Sequence, residues 1–202
     1  MFETISNTIN TLEITEISEE RKAILNPLIS YIKDKVKTDS PIRLNFICTH
    51  NSRRSHLSQI WAQTMATRYN VSKVSCYSGG TEATAMFPKV GETLANQGFQ
   101  IIKLSEEDNP VYSIKFSEND PAVIAFSKQF SDDFNPASEF AAIMTCSSAD
   151  KGCPMVFGCD TRIAITYEDP KKSDGTPQQA ETYLNRSLEI ATEMKFVFSS
   201  LR

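Results

Sequence analysis

Ile42-Arg43-Leu44-Asn45-Phe46-Ile47-Cys48-Thr49-His50-Asn51-Ser52-Arg53-Arg54-Ser55 is the stretch on which the fold of this chain turns. Its first six residues read as a buried strand that ends at Cys48, and the segment from about 55 to 69 places Leu57, Ile60, Trp61 and Met65 on one face of a helix. A cysteine and an arginine thus stand six positions apart in the tight loop between strand and helix. Such a loop turns successive backbone N–H groups inward and adds the positive end of a helix dipole, which makes a pocket for a tetrahedral oxyanion. The same field favours the thiolate that Cys48 needs for nucleophilic attack. Arg54 can take two oxyanion oxygens through its planar fork. Ser55 can donate its hydroxyl to the thiolate, and Asn51 tolerates the left-handed backbone that the loop needs. Thr49, His50, Ser52 and Arg53 complete the expected oxyanion-binding set. The spacing by itself is a common accident, and its setting between strand and helix gives it meaning; the alternative is a buried strand-end cysteine beside a surface arginine.

Working outward, Val74 to Ser78 reads as a second strand stopped by Gly79-Gly80, and a helix is expected from about 89 to 97 with Gly98 as its stop. Tyr112, Ile114 and Phe116, then Ala122 to Phe126, flank the turn-rich 117 to 121 and read as a hairpin. Ala141 to Thr145 is a third main strand, again ending at a cysteine, Cys146, and Arg162 to Tyr167 is a fourth. A last helix from about 178 to 199 carries Ala180, Tyr183, Leu184, Leu188, Ala191 and Met194 at helical spacing. Strands and helices alternate, which predicts an α/β fold with a parallel sheet. Upstream, Leu25, Leu28, Ile29, Ile32 and Val36 form the apolar stripe of a helix whose start suits Ser18. The reading is a helix packed on the domain flank, against a dimerisation or regulatory role.

With 202 residues the chain is long enough for one well-buried core, which favours one domain and one site. A hydrophobic share of 40% and a charged share of 23% exclude disorder and fibrous repeats. The net charge of -4 leaves no general surface for nucleic acid. No stretch approaches the roughly 18 apolar residues of a membrane span, so a cytoplasmic protein is expected. Five cysteines, an odd number, do not make the framework of a small secreted fold and are expected as thiols.

The loop Cys48-Thr49-His50-Asn51-Ser52-Arg53-Arg54-Ser55 resembles that of the low-molecular-weight protein tyrosine phosphatases and of their relatives, the thioredoxin-coupled arsenate reductases, whose form is Cys-Thr-Gly-Asn-Ser-Cys-Arg-Ser. His50 replaces the glycine and Arg53 the second cysteine. The resemblance covers roughly 42 to 195, and Ser78-Gly79-Gly80-Thr81-Glu82 is similar to a turn of the family. It implies a flavodoxin-like phosphatase fold with a small four-stranded parallel sheet in order 2-1-3-4, to which this chain adds an N-terminal helical extension over 1–40 and a hairpin; residues 41–202 form the catalytic domain. It also implies that Asp169, in Glu168-Asp169-Pro170, is the general acid; proline fixes the backbone beside it.

Cys146-Ser147-Ser148-Ala149-Asp150-Lys151-Gly152-Cys153-Pro154 looks like the redox segment of the arsenate reductases. The implied sequence is attack of Cys48 on arsenate, attack of Cys146 on Cys48, attack of Cys153 on Cys146, and resetting by thioredoxin, with no tightly bound cofactor. Gly152 and the small residues before it are compatible with a mobile loop. The alternative for the pair is a structural or zinc-binding role, which lacks ligands, and no metal site is expected. Cys76 reads as core, His56 as structural, and Cys159 as either a bystander or a further resolving thiol. Gln59 stands near where some arsenate reductases have a potassium-binding glutamate, so no stable cation site is expected. The rivals are a tyrosine phosphatase, weakened by Lys171-Lys172-Ser173 where such enzymes carry aromatic residues, and a thiol-based oxyanion or redox sensor without turnover.

Overall fold

The computed structural model describes residues 1–152 and 155–201. Two helices come first, α1 (Glu3–Thr11) and α2 (Glu19–Lys37), joined by a short 3-10 turn. Strand β1 (Ile42–Cys48), helix α3 (Arg54–Arg68), strand β2 (Val74–Gly80) and helix α4 (Pro88–Asn96) follow. Three short strands, β3 (Gln100–Lys103), β4 (Tyr112–Lys115) and β5 (Val123–Ala125), lead to β6 (Phe140–Met144), α5 (Ser147–Gly152), β7 (Cys159–Ala164) and α6 (Gln179–Ser199).

The four main strands are parallel and lie in the order β2-β1-β6-β7, so the second, first, third and fourth main strands are neighbours as the resemblance implies. Alternation along the strands divides the core into two faces. Leu44, Phe46, Ala141, Ile143 and Ile163 join the large cluster that holds Leu57, Ile60 and Trp61 of α3 and Met194, Val197 and Phe198 of α6. Ile47, Phe140, Ala142 and Met144 face the other way, toward Ala149 of α5 and Val156. A sheet covered on both sides must be apolar on both sides, and β6, with all five residues buried, meets that demand.

Helix α2 begins where Ser18 suggests, its hydroxyl accepting the Arg21 N–H at 3.2 Å. Leu25, Leu28, Ile29 and Ile32 are buried in the same cluster as Ile5 and Ile9 of α1. Val36, expected on that stripe, is exposed and lines a cleft with Tyr69, Val71 and Leu201. The expected hairpin is present as β4 and β5, but β3 adds a third antiparallel strand, from Gln100↔Lys115 to Lys103↔Tyr112, whose four residues are too few to show a period. The fourth main strand starts three residues earlier than expected, at Cys159. The segment after Cys146 is no open loop: it forms α5. Among the described residues, no helix is long and apolar enough to cross a membrane.

Candidate active site

Because the main strands are parallel, the residues after β1, β6 and β7 all emerge at the same edge of the sheet, where ligands gather in open α/β folds. Cys48 ends β1, Cys146 lies two residues past β6, and Asp169 lies five past β7.

The loop from Cys48 to Arg54 is held from outside by its carbonyls. The Cys48 carbonyl accepts the Thr81 N–H at 3.1 Å, and that of Thr49 accepts the Glu82 N–H at 2.8 Å and the Thr81 hydroxyl at 3.1 Å. The His50 carbonyl accepts the hydroxyls of Thr84 and Ser127, both at 3.0 Å, and that of Ser52 accepts the Phe87 N–H at 2.9 Å. The Asn51 carbonyl accepts Nε2 of His56 at 2.8 Å. With the carbonyls turned out, the N–H groups of 49 to 54 lie on the inner side, and none of them donates to a partner among the described residues. This is a concave set of amide donors at the N-terminus of the fifteen-residue α3.

Asn51 has φ of 43°, the left-handed conformation expected of it, and Oδ1 of its side chain accepts the Lys128 N–H at 2.9 Å. Gly80 is required here: a Cβ on it would stand 2.7 Å from both the Asn51 nitrogen and the Thr49 oxygen. The Asn51 amide donates to Ser55 Oγ at 2.9 Å, and Ser55 Oγ lies 3.1 Å from Cys48 Sγ. The amide can only donate, so Ser55 Oγ accepts from it and keeps its proton, which it can give to the sulfur when Cys48 is a thiolate. His56 is fully buried, and burial, helped by the charge of Lys128, pushes its imidazole down to about 3. As a neutral ring that donates from Nε2, it accepts the Ser78 hydroxyl on Nδ1 at 3.3 Å.

The two arginines of the loop diverge. Arg54 donates from Nη1 to the Tyr167 carbonyl at 3.0 Å and from Nη2 to Asp169 Oδ2 at 2.5 Å. Its buried Nε has no partner among the described residues, which leaves a charged donor for an anion. Arg53 donates to the Tyr183 hydroxyl at 2.6 Å and to Asp174 at 2.7 Å, and its guanidinium lies 4.1 Å from the centre of the Phe87 ring. Asp169 also accepts the Lys171 N–H at 3.1 Å, capping the 3-10 turn that begins at Pro170. Cys48, His50, Ser52, Arg53, Arg54 and Asp169 line one small cavity. The His50 ring lies 3.2 Å from a Glu82 carboxylate oxygen.

No protein-family model matches the chain. It is 25% identical to an arsenate reductase of Bacillus licheniformis over 142 residues, which make up 70% of this chain and 83% of the relative. A crystal structure of a low-molecular-weight phosphotyrosine phosphatase from Vibrio cholerae O395 matches with a TM-score of 0.51 at 12% identity, over 79% of this chain and 95% of the other. The chain has the low-molecular-weight phosphatase fold. A solved arsenate reductase in its phosphate-binding state matches equally well, with a TM-score of 0.51 and 15% identity over 80% of this chain and 99% of the other. At these identities the structural likeness is one of fold.

Within that fold, Cys146 is 1% exposed and stands against the loop. Its sulfur is 3.4 Å from the Thr49 hydroxyl and accepts the Ala149 N–H at 3.3 Å, which makes it the cap of α5. Cys153 lies outside the described residues. Cys159 pairs in register with Phe140, at the amino end of β6, so it stands about six residues of strand, roughly 20 Å, from the level of Cys146. Cys76 is buried, and burial raises its thiol pKa strongly, so it is a core residue. Gln59 is buried and donates to the Cys76 and Ile124 carbonyls at 3.1 and 3.2 Å, joining β2 to the three-stranded sheet. Sequence reasoning missed the outer brace of the loop. Thr84 and Ser127 are small hydroxyl residues on distant segments that no local pattern marks, and Thr81, within the turn similar to the family's, carried no sign of this role.

Proposed function

We infer that the protein reduces arsenate to arsenite at Cys48 through an intramolecular disulfide relay. The observation that supports this reading most is the 3.4 Å contact between Thr49 Oγ1 and Cys146 Sγ, which sets a second thiol against the wall of the Cys48 loop. Hydrolysis of a phosphate ester has no use for that thiol.

In this reading the loop amides and Arg54 hold the arsenate oxygens, and the Cys48 thiolate attacks arsenic while Asp169 protonates the departing hydroxyl, which leaves as water. Cys146 as thiolate then attacks Cys48 Sγ. A Cys48–Cys146 disulfide forms, and the arsenic–sulfur electron pair goes to arsenic, releasing arsenite. Cys153 attacks Cys146, freeing Cys48 as thiolate, and an external dithiol of the thioredoxin class reduces the Cys146–Cys153 disulfide. Such a relay belongs in a reducing compartment such as the cytoplasm. The catalytic region in this reading is 41–202.

A second reading, phosphate monoester hydrolysis, is favoured by the completeness of the Cys48, Arg54 and Asp169 set without any further thiol. NADPH consumption with thioredoxin, thioredoxin reductase and arsenate decides between the two. Arsenate-dependent turnover lost in Cys48→Ser, Cys146→Ser and Cys153→Ser supports the relay. Aryl phosphate hydrolysis that needs Cys48 alone, with no arsenate turnover, replaces it by the phosphatase.

A further inference from the structure

The N-terminal extension supplies no group to the chemistry above, yet one of its side chains reaches the back of the site. Arg21, in the first turn of α2, donates from Nε to Glu193 Oε1 at 2.6 Å and from Nη2 to Oε2 at 2.9 Å. Glu193, on α6, is 4% exposed, and its Oε2 also accepts the Tyr167 hydroxyl at 2.7 Å. The Arg21 guanidinium sits over the Tyr167 ring, 5.0 Å from its centre. Tyr167 is buried, and burial holds its phenol well above the ordinary range, so it remains a donor to the carboxylate. At its other end the Tyr167 carbonyl accepts Nη1 of Arg54 at 3.0 Å, while its N–H donates to the Thr145 carbonyl at 3.1 Å.

These contacts form one unbroken chain from α2 through α6 to the arginine of the oxyanion loop. Tyr167 is clamped at both ends, by Arg21 and Glu193 at the ring and by Arg54 and the Thr145 carbonyl just past β6 at the backbone. A fork held by one carbonyl on Nη1 and one carboxylate on Nη2 keeps its plane, and with it the place of the buried Nε, which has no partner among the described residues, in a side chain that lines the cavity. A displacement of the order of 1 Å in such a group is enough to cost catalysis heavily.

We propose that Arg21 and Glu193 are positioning residues for the oxyanion site, setting the Arg54 fork through Tyr167, so that the N-terminal extension is a working part of the site. The proposal rests on the reading of the Cys48 loop as an oxyanion site. Arg21 and Glu193 touch no substrate; they act through Tyr167.

The test uses the full chain and inorganic phosphate as probe, with calorimetric titration and a thermal melt for each variant. Removing Arg21 leaves Glu193 buried without its partner and can cost the fold, so Tyr167→Phe, which deletes one hydroxyl and keeps the ring, stands beside Arg21→Ala. Both are expected to bind phosphate about tenfold more weakly than the wild type. Lys35→Ala, which removes the ion pair of α2 with Asp160 at 2.8 Å, is expected to bind phosphate as the wild type does, whatever its melting temperature. Folded Tyr167→Phe and Arg21→Ala proteins with wild-type phosphate affinity overturn the positioning role alone. A wild type that binds no phosphate overturns the oxyanion site, and this proposal with it.

Discussion

Nη2 of Arg54 lies 2.5 Å from Oδ2 of Asp169, so the arginine expected to hold the anion and the carboxylate expected to deliver its proton are bonded to each other. As an ionised carboxylate on that fork Asp169 carries no proton to give, and a general acid must carry one. An oxyanion that takes the Nη2 end of the fork, beyond the Nε that is left for it, has to displace Asp169 from Arg54.

A separation of affinity from turnover follows. Asp169→Asn weakens the competitor for the fork, so inorganic phosphate is expected to bind at least as tightly as to the wild type. Turnover, deprived of its general acid, is expected to fall about 10²- to 10⁴-fold. Phosphate inhibition measured beside turnover checks both; weaker phosphate binding would show that Asp169 helps to hold the anion.

The Asn51, Ser55 and Cys48 chain makes a claim about the nucleophile. Ser55 Oγ accepts the Asn51 amide and lies 3.1 Å from the sulfur, so its proton is available to a Cys48 thiolate. Ser55→Ala removes that donor and is expected to slow alkylation of Cys48 by iodoacetamide at pH 7 by about tenfold, the worth of one hydrogen bond to a charged group. An unchanged rate in Ser55→Ala would assign the serine to packing alone.

Arg53 ties the loop to Asp174 and Tyr183, while its neighbour Arg54 ties it to Asp169. Both ends of the turn at Pro170 to Ser173 are thereby fixed. Asp174→Ala is expected to destabilise the protein by about 1–3 kcal/mol, because it strands a largely buried guanidinium. It is also expected to lower turnover more than phosphate affinity, since the acid-bearing turn is loosened while Arg54 stays. Urea unfolding and steady-state kinetics measure the two effects, and a change in affinity larger than that in turnover counts against the clamp.

His56 predicts a pH dependence. Its imidazole titrates at about 6.5 when unfolded and at about 3 in the native protein, so the unfolded chain takes up a proton in this window that the native one refuses. Its contribution to stability is whole above pH 6.5 and is lost as the pH falls toward 3, by up to about 1.4 kcal/mol per pH unit. Denaturation midpoints between pH 7 and 4 are expected to fall more steeply in the wild type than in His56→Gln. Parallel slopes would mean that His56 is protonated in the native state.

The reach of local reading shows in particular residues. Leu57, Ile60, Trp61 and Met65 repeat at helical spacing and are fully buried, because a helix that covers a sheet must present one apolar stripe. Asn51 was legible because few side chains tolerate positive φ. Helix α5 was not, since six small and polar residues carry no period and Cys146 caps them with its sulfur. Val36 continued the stripe of α2 but lies exposed in a cleft with Tyr69, Val71 and Leu201, because a period records which face a residue is on and not how closely that face is covered.

The sequence by itself determined the strand, loop and helix around Cys48, the alternation that makes a parallel sheet, and thus the meeting of Cys48 and Cys146 at one edge, while Asp169 was expected there from the resemblance. Those features rest on periodicity, on turn chemistry and on the geometry of parallel strands, all of which act locally or follow from connectivity. Tertiary structure alone decided that Arg54 takes Asp169 while Arg53 takes Asp174, and that Arg21 reaches Tyr167 through Glu193. Residues 21, 54, 167 and 193 come together because three helices and a strand end pack on one core, and no local pattern encodes such a meeting.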